Sequence, residues 1–138
     1  MVMDWNQCER EFIRHVEPDI EQIRSILAKS RQRLKRARET KVTEESISFI
    51  VEDYYEVMKE FLIAYLLKSG LRSKNHQCLI SYFLKKNPRL EKEAVILAQM
   101  SFFRNRLEYY GEGVPTDFYY QYKDEFEKMI TILEKLFS

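Results

Sequence analysis

The stretch MSFFRNRLEYYGEG, residues 100–113, combines residue types that bind phosphates and nucleotide bases. An arginine guanidinium presents donors that match a phosphate, and a tyrosine ring can stack on a base. The residues that carry this chemistry are Arg104, Asn105, Arg106, Tyr109 and Tyr110. They form a candidate site for a nucleotide or RNA.

A structural role for the same residues is the alternative. Basic side chains are favoured near a helix C-terminus because they interact with the helix dipole. Arg104 continues a stripe after Leu97 and Ser101, so it begins near the apolar side and needs an acceptor. That acceptor is either a carboxylate of the protein or a phosphate from outside, and spacing alone favours the first.

A second basic feature is the stretch KSRQRLKRARETK, residues 29–41. It holds one acid, Glu39, among seven basic residues, namely Lys29, Arg31, Arg33, Lys35, Arg36, Arg38 and Lys41. On a helix these side chains wrap most of the circumference, so part of the stretch must face solvent. Such a stretch could follow a nucleic-acid backbone, and it is equally typical of a solvated helix end.

Length and composition predict one globular domain over residues 1–138. The chain is 45% hydrophobic and 33% charged, with a formal charge of +1 that does not by itself indicate nucleic acid. Three glycines and three prolines are too few for the turns of a sandwich or barrel. The N-terminus does not resemble a signal peptide, and the longest apolar stretch, FLIAYLL, is too short for a membrane span. We therefore expect a soluble, cytoplasmic protein.

Cys8 and Cys78 are far apart and belong to no C-x-x-C pair, which predicts two reduced thiols in a cytosolic protein. A zinc site from these cysteines with His15 and His76 would lack the spacing of any known ligand motif. The sequence therefore predicts neither a metal site nor a cofactor.

Helical periodicity with glycine and proline punctuation divides the chain into helices. Pro18 fits the first turn of one helix, and Thr43 can cap the next, which Gly70 would close in a left-handed conformation. A short helix ends before Pro88, which opens a long helix that runs to about Tyr109.

Gly111 lies just beyond that long helix, and Thr116 can cap the last one. The segment MDWNQCEREFIRHV predicts a further short helix that lays Trp5, Phe12 and Ile13 on the bundle. No segment alternates with a two-residue period, so no sheet is expected. Short loops favour antiparallel neighbours, which predicts an all-α, up-and-down antiparallel bundle of about five helices.

Small side chains recur along the long fourth helix. A stripe at helical spacing contains Ala94, Ala98, Ser101, Asn105 and Tyr109. Small residues let another helix approach closely, so this stripe favours a homodimer.

The helix order, the connection GLRSKNHQCLISYF and the ending RNRLEYYG together resemble the HEPN domain (higher eukaryotes and prokaryotes nucleotide-binding). The resemblance spans roughly the second helix to the end of the chain. It implies a small all-helical protein, commonly a homodimer and often encoded beside a minimal nucleotidyltransferase. Active members are metal-independent ribonucleases whose sites form where two protomers meet.

By this resemblance Arg104 is the phosphate-binding arginine and Asn105 the polar residue beside it. Tyr109 stands where the family has a histidine, and tyrosine, with an ordinary pKa of about 10, is a poor general base near neutral pH. His76 or His15 could replace that histidine only where the fold brings one beside Arg104.

Some members of the family that act with a nucleotidyltransferase are modified by transfer of AMP to a tyrosine. The position at which some of them accept AMP on a tyrosine is Gly111 in this chain, so that modification is not implied.

Three functions follow from these observations. The first is a non-catalytic dimeric module that binds nucleotide or RNA and acts with a nucleotidyltransferase. The second is a ribonuclease of the toxin–antitoxin type, with Arg104, Asn105 and Tyr109 in its site. The third is a scaffolding bundle, in which Arg104 would be buried against Glu108 or Glu112, away from any cleft.

Overall fold

A computed structural model describes residues 2–137 as a helical bundle with one small sheet. The helices are α1 (Trp5–Glu11), α2 (Ile20–Glu39), α3 (Ser46–Lys68), α4 (Gln77–Lys86), α5 (Glu91–Tyr110) and α6 (Thr116–Lys135), with a 3-10 turn at Pro88–Leu90. The strands are β1 (Ile13–His15) and β2 (Leu71–Ser73). Helices account for 76% of the residues, which confirms the all-α bundle.

Helix α3 forms the centre of the bundle. It contacts α2, α4, α5 and α6, and its residues are buried on nearly every side. Phe61, Met58 and Val57 are fully buried, and so are Phe126 from α6 and Met100 from α5, which belong to the same apolar core. Burial of this apolar surface is the main source of the bundle's stability.

The helix ends follow the punctuation of the sequence closely. Gly70 and Gly111 both have positive φ, +74° and +67°, as left-handed C-terminal residues do. Thr43 Oγ1 accepts a hydrogen bond from the Ser46 N–H at 3.0 Å, which confirms its capping role.

Two predicted helix starts were wrong in detail. Helix α2 begins at Ile20, and Asp19 rather than Pro18 marks its start, with its carboxylate accepting from the Gln22 N–H at 3.1 Å. Thr116 is the first residue of α6 and makes no capping hydrogen bond with its side chain.

The antiparallel sheet was not expected. Ile13 pairs with Ser73 and His15 with Leu71. Each strand has three residues, which is too short for a two-residue alternation to be visible in the sequence. The sheet fastens the chain after α1 to the chain before α4.

Cys8 and Cys78 form a disulfide, so the prediction of two reduced thiols was wrong. Both residues are fully buried, and their Cα atoms are 5.6 Å apart although 70 positions separate them in the chain. The fold places α1 against α4, which the spacing of the cysteines could not reveal. Disulfides persist mainly in oxidising compartments, so cysteine content gives no argument for the cytoplasm.

The helices of residues 2–137 include none whose length and apolar character would allow it to cross a bilayer.

Candidate functional site

An open cleft of about 310 Å³ lies where α3, the start of α4 and the second half of α5 meet. Its volume is near the lower end of the range for small-molecule sites. The residues that line it are Phe12, Tyr55, Lys74, Asn75, His76, Gln77, Ser101, Arg104 and Asn105. Two of the five predicted binding residues, Arg104 and Asn105, are therefore in one cleft.

Arg104 is largely buried, with 20% of its side chain exposed. Its Nε donates a hydrogen bond to Glu56 Oε1 at 3.1 Å, and its Nη1 lies 2.6 Å from Glu108 Oε2. Its Nη2 donates no hydrogen bond to any residue within 2–137. The guanidinium thus has two protein carboxylates as partners and still lines the cleft.

The surroundings of Arg104 keep it charged. Partial burial lowers its pKa, but the charges of Glu56 and Glu108 outweigh burial and the pKa is raised. Glu52 lies on the same side of α3 as Glu56, and its surroundings favour the neutral form of its carboxyl group. Burial raises its pKa, and the positive charge of Arg104 only partly offsets this.

The start of α4 forms the wall of the cleft opposite α5. Asn75 Oδ1 accepts a hydrogen bond from the Gln77 N–H at 2.8 Å, which caps the helix. Gln77 Nε2 donates to Ser101 Oγ of α5 at 2.8 Å. The first bond orders the start of α4, and the second joins α4 to the helix that carries Arg104.

His76 lies in the same cleft as Arg104, which is the arrangement that a relocated histidine requires. Partial burial of its imidazole lowers its pKa, and the nearby charges of Lys59 and Arg104 lower it further, against an opposing effect of Glu56. The imidazole is therefore neutral at pH 7, the form that accepts a proton. His15 is on β1 and does not line the cleft.

Tyr55 lines the cleft from α3 and is 4% exposed. Burial raises the pKa of its hydroxyl, whereas the neighbouring Ser101 side chain lowers it in part. Tyr55 is thus a neutral hydrogen-bonding group at physiological pH.

Arg106, Tyr109 and Tyr110 do not line the cleft. Arg106 forms an ion pair with Glu112, and its guanidinium lies 4.3 Å from the centre of the Tyr110 ring. Tyr109 and Tyr110 are 70% and 68% exposed. These three residues form an outer surface at the end of α5, separate from the cleft residues.

The basic stretch of α2 forms cross-links within the bundle. Arg36 makes a two-point contact with the buried Asp53 of α3, at 2.6 and 3.1 Å. The other arginines pair across helices as well, Arg31 with Glu134, Arg33 with Glu60 and Arg38 with Glu127. Four of the seven basic side chains that could follow a nucleic-acid backbone are therefore paired with carboxylates of α3 and α6.

The small-residue stripe of α5 is used inside the monomer. Ala94, Ala98 and Ser101 are at most 6% exposed, and Ser101 receives the hydrogen bond from α4. Close approach of α4 and α3, rather than of a second protomer, explains these small side chains. A homodimer therefore rests on the family resemblance alone.

The zinc arrangement does not form, because its two cysteines are joined to each other. Among residues 2–137 no three His, Cys, Asp or Glu side chains are grouped so as to hold a metal ion.

The sequence missed the half of the cleft that comes from outside α5. His76 was named as a possible replacement for the family's histidine, but nothing in the spacing indicated that Lys74, Asn75 and Gln77 would lie in the same cleft as Arg104. Phe12 belongs to the segment that the disulfide and the small sheet hold in place.

Comparison with protein-family models, with curated proteins and with solved structures gave no significant match to this chain.

Proposed function

We propose that this protein is a HEPN-like binding module that holds a nucleotide, or one nucleotide of a single-stranded RNA, in the Arg104 cleft without cleaving it. The observation that carries the proposal is the shared cleft of Arg104, Asn105 and Lys74. Arg104 Nη2 is available to a phosphate oxygen, since it makes no hydrogen bond within residues 2–137.

The remaining lining residues suit the rest of a nucleotide. The Phe12 ring offers an apolar face for a base, and the amide of Asn105 and the oxygen of the Gln77 amide offer groups for base edges and sugar hydroxyls beyond the bonds they make to Arg104 and Ser101. Homodimerisation and a nucleotidyltransferase partner are proposed from the HEPN resemblance. Light scattering of the purified protein at micromolar concentration tests the dimer.

Replacement of Arg104 by alanine tests the binding site directly. A charge-assisted hydrogen bond is worth about 1.5–3 kcal/mol, so Arg104→Ala should weaken binding of a fluorescent mononucleotide or short RNA about tenfold or more. Glu56 keeps Lys59 as a partner at 2.5 Å, so the fold should survive, which circular dichroism checks.

The matched control is Arg106→Ala, which removes the other arginine of the same helix end outside the cleft. It should change affinity less than about twofold. If only Arg106→Ala lost affinity, the ligand would bind at the outer surface of α5 rather than in the cleft. Failure of the wild type to bind any nucleotide or RNA would leave the scaffolding role.

A ribonuclease is the second candidate, and the presence of neutral His76 beside Arg104 in the cleft favours it. His76 would take the proton of a ribose 2′-hydroxyl while that oxygen bonds to phosphorus. The P–O5′ bond would break, leaving a 2′,3′-cyclic phosphate and a 5′-oxygen that takes a proton from water.

Incubation of the protein with single-stranded RNA in EDTA separates the two candidates. Cleavage that is lost in both His76→Ala and Arg104→Ala supports the ribonuclease. RNA that stays intact at high protein concentration while it binds supports the non-catalytic module.

A further inference from the structure

The charges around Arg104 determine which phosphate ligands can enter the cleft. Its lining contains two basic side chains, Lys74 and Arg104. Arg104 already has Glu56 and Glu108 as partners, at 3.1 and 2.6 Å. The positive charge left for a ligand is therefore small.

The groups just behind the lining add no positive charge. Lys59 is bound to Glu56 at 2.5 Å, so its charge is matched. His76 is neutral at pH 7, because burial and two neighbouring cations lower its pKa. Glu52 stands close enough to Arg104 and Glu56 for their charges to affect its own ionisation. With Arg104, Lys59 and Lys74 set against Glu52, Glu56 and Glu108, the cluster has no net charge.

We infer that the cleft selects ligands with a single phosphate group, a nucleoside monophosphate or one phosphodiester unit of RNA, and discriminates against nucleoside di- and triphosphates. This inference rests on the proposed nucleotide-binding function. One phosphate can be met by Arg104 Nη2 and Lys74. Each additional phosphate brings negative charge toward three carboxylates without a further cation to compensate for it.

The size of the cleft supports the same conclusion. At about 310 Å³ it is at the small end of ligand sites, a size that suits a compact ligand such as a nucleoside monophosphate. Glu108 is the residue that we assign as the main discriminator. It is the carboxylate nearest to Arg104, at 2.6 Å, and 44% of its side chain is exposed, so its charge acts on any phosphate that Arg104 binds.

Isothermal titration of the intact protein tests the inference, with the four ribonucleoside monophosphates and the matching triphosphates in EDTA. We expect at least one monophosphate to bind about tenfold more tightly than its triphosphate. Equal or tighter binding of the triphosphate overturns the inference and leaves the proposed function intact. Absence of binding by every nucleotide and by a short RNA overturns the proposed function itself.

The variant Glu108→Gln tests the electrostatic origin of the selectivity. It should tighten triphosphate binding more than monophosphate binding. The ratio of the triphosphate Kd to the monophosphate Kd should therefore fall at least about threefold. The matched control is Glu112→Gln, which removes a carboxylate that pairs with Arg106 outside the cleft. A ratio unchanged in Glu108→Gln, or narrowed equally in Glu112→Gln, would overturn the role of Glu108.

Discussion

Arg104 of α5 donates a hydrogen bond from its Nε to Glu56 of α3, 48 positions earlier in the chain. This contact fixes the guanidinium beside the cleft and at the same time reduces the positive charge that it offers to a ligand. The contact that positions the candidate phosphate-binding group is therefore expected to lower its affinity for a phosphate.

The first prediction concerns Glu56→Gln. The amide keeps the shape of the side chain and can still accept a hydrogen bond, but the negative charge next to Arg104 is removed. We expect the affinity for a nucleoside monophosphate to rise roughly threefold to tenfold, as measured by calorimetry. Glu60→Gln is the control, because it lies one turn away on α3 and pairs with Arg33. An affinity that falls in Glu56→Gln would show that positioning of Arg104 outweighs its charge.

The second prediction concerns the disulfide. A cross-link between positions 70 residues apart should stabilise the fold by about 4 kcal/mol through the entropy of the unfolded chain. Urea unfolding with and without a reducing agent should therefore show a large shift of the midpoint. The double variant Cys8→Ser with Cys78→Ser should unfold at the reduced midpoint under both conditions. Two free thiols by mass spectrometry in protein purified without reductant would contradict the pairing.

Much of the fold could be predicted because helix ends are encoded locally. A left-handed residue such as Gly70 or Gly111 and a proline such as Pro88 act within a few residues of their own position. On the outer helices α2, α4 and α6 the stripe of apolar residues then determines which face is buried. The short sheet escaped prediction because its pairing depends on contacts between distant segments rather than on a repeat within either strand.

The candidate site could be predicted only on the side contributed by α5. Arg104 and Asn105 stood out by residue type, but the partner carboxylate Glu56 lies on another helix, and Gln77 meets Ser101 across 24 positions. Such contacts depend on how the helices pack, which spacing in one sequence does not specify. The same limit applies to Tyr109, whose exposure follows from its place on the outer side of α5.

The third prediction concerns acid stability and Glu127. This carboxylate accepts hydrogen bonds from Arg38 and from the Tyr54 hydroxyl, and the Arg38 bond is the main reason that its pKa is lowered from about 4.5. A lowered pKa in the folded state adds stability at pH values above the unfolded pKa, and this stability is lost as pH falls through the folded pKa.

Glu127→Gln should therefore be less stable than the wild type at pH 7, by about 1 kcal/mol or less because the pair is partly exposed. The difference should shrink in urea unfolding at pH 3. The control is Glu9→Gln, at an exposed position of α1, which should leave stability nearly unchanged at both pH values. A difference as large at pH 3 as at pH 7 would mean that packing of Glu127, not its charge, is responsible.

The fourth prediction compares the two left-handed glycines. Any residue with a Cβ pays about 1–2 kcal/mol in this conformation, so alanine should destabilise the protein at either position. At Gly111 an added Cβ meets no atom within 4 Å, whereas at Gly70 it would lie 3.1 Å from the Val16 carbonyl oxygen. The Val16 N–H also donates to the Gly70 carbonyl at 2.9 Å, so this backbone has little freedom to move away.

Gly70→Ala should therefore be more destabilising than Gly111→Ala, by about 1 kcal/mol, in urea unfolding under identical conditions. Gly111→Ala reports the cost of the left-handed conformation alone, which makes it the matched reference. Because Gly70 immediately precedes the strand that leads to Lys74 and the start of α4, its substitution should also weaken ligand binding in the cleft. Equal destabilisation by the two substitutions would show that the chain at Val16 yields to the added methyl group.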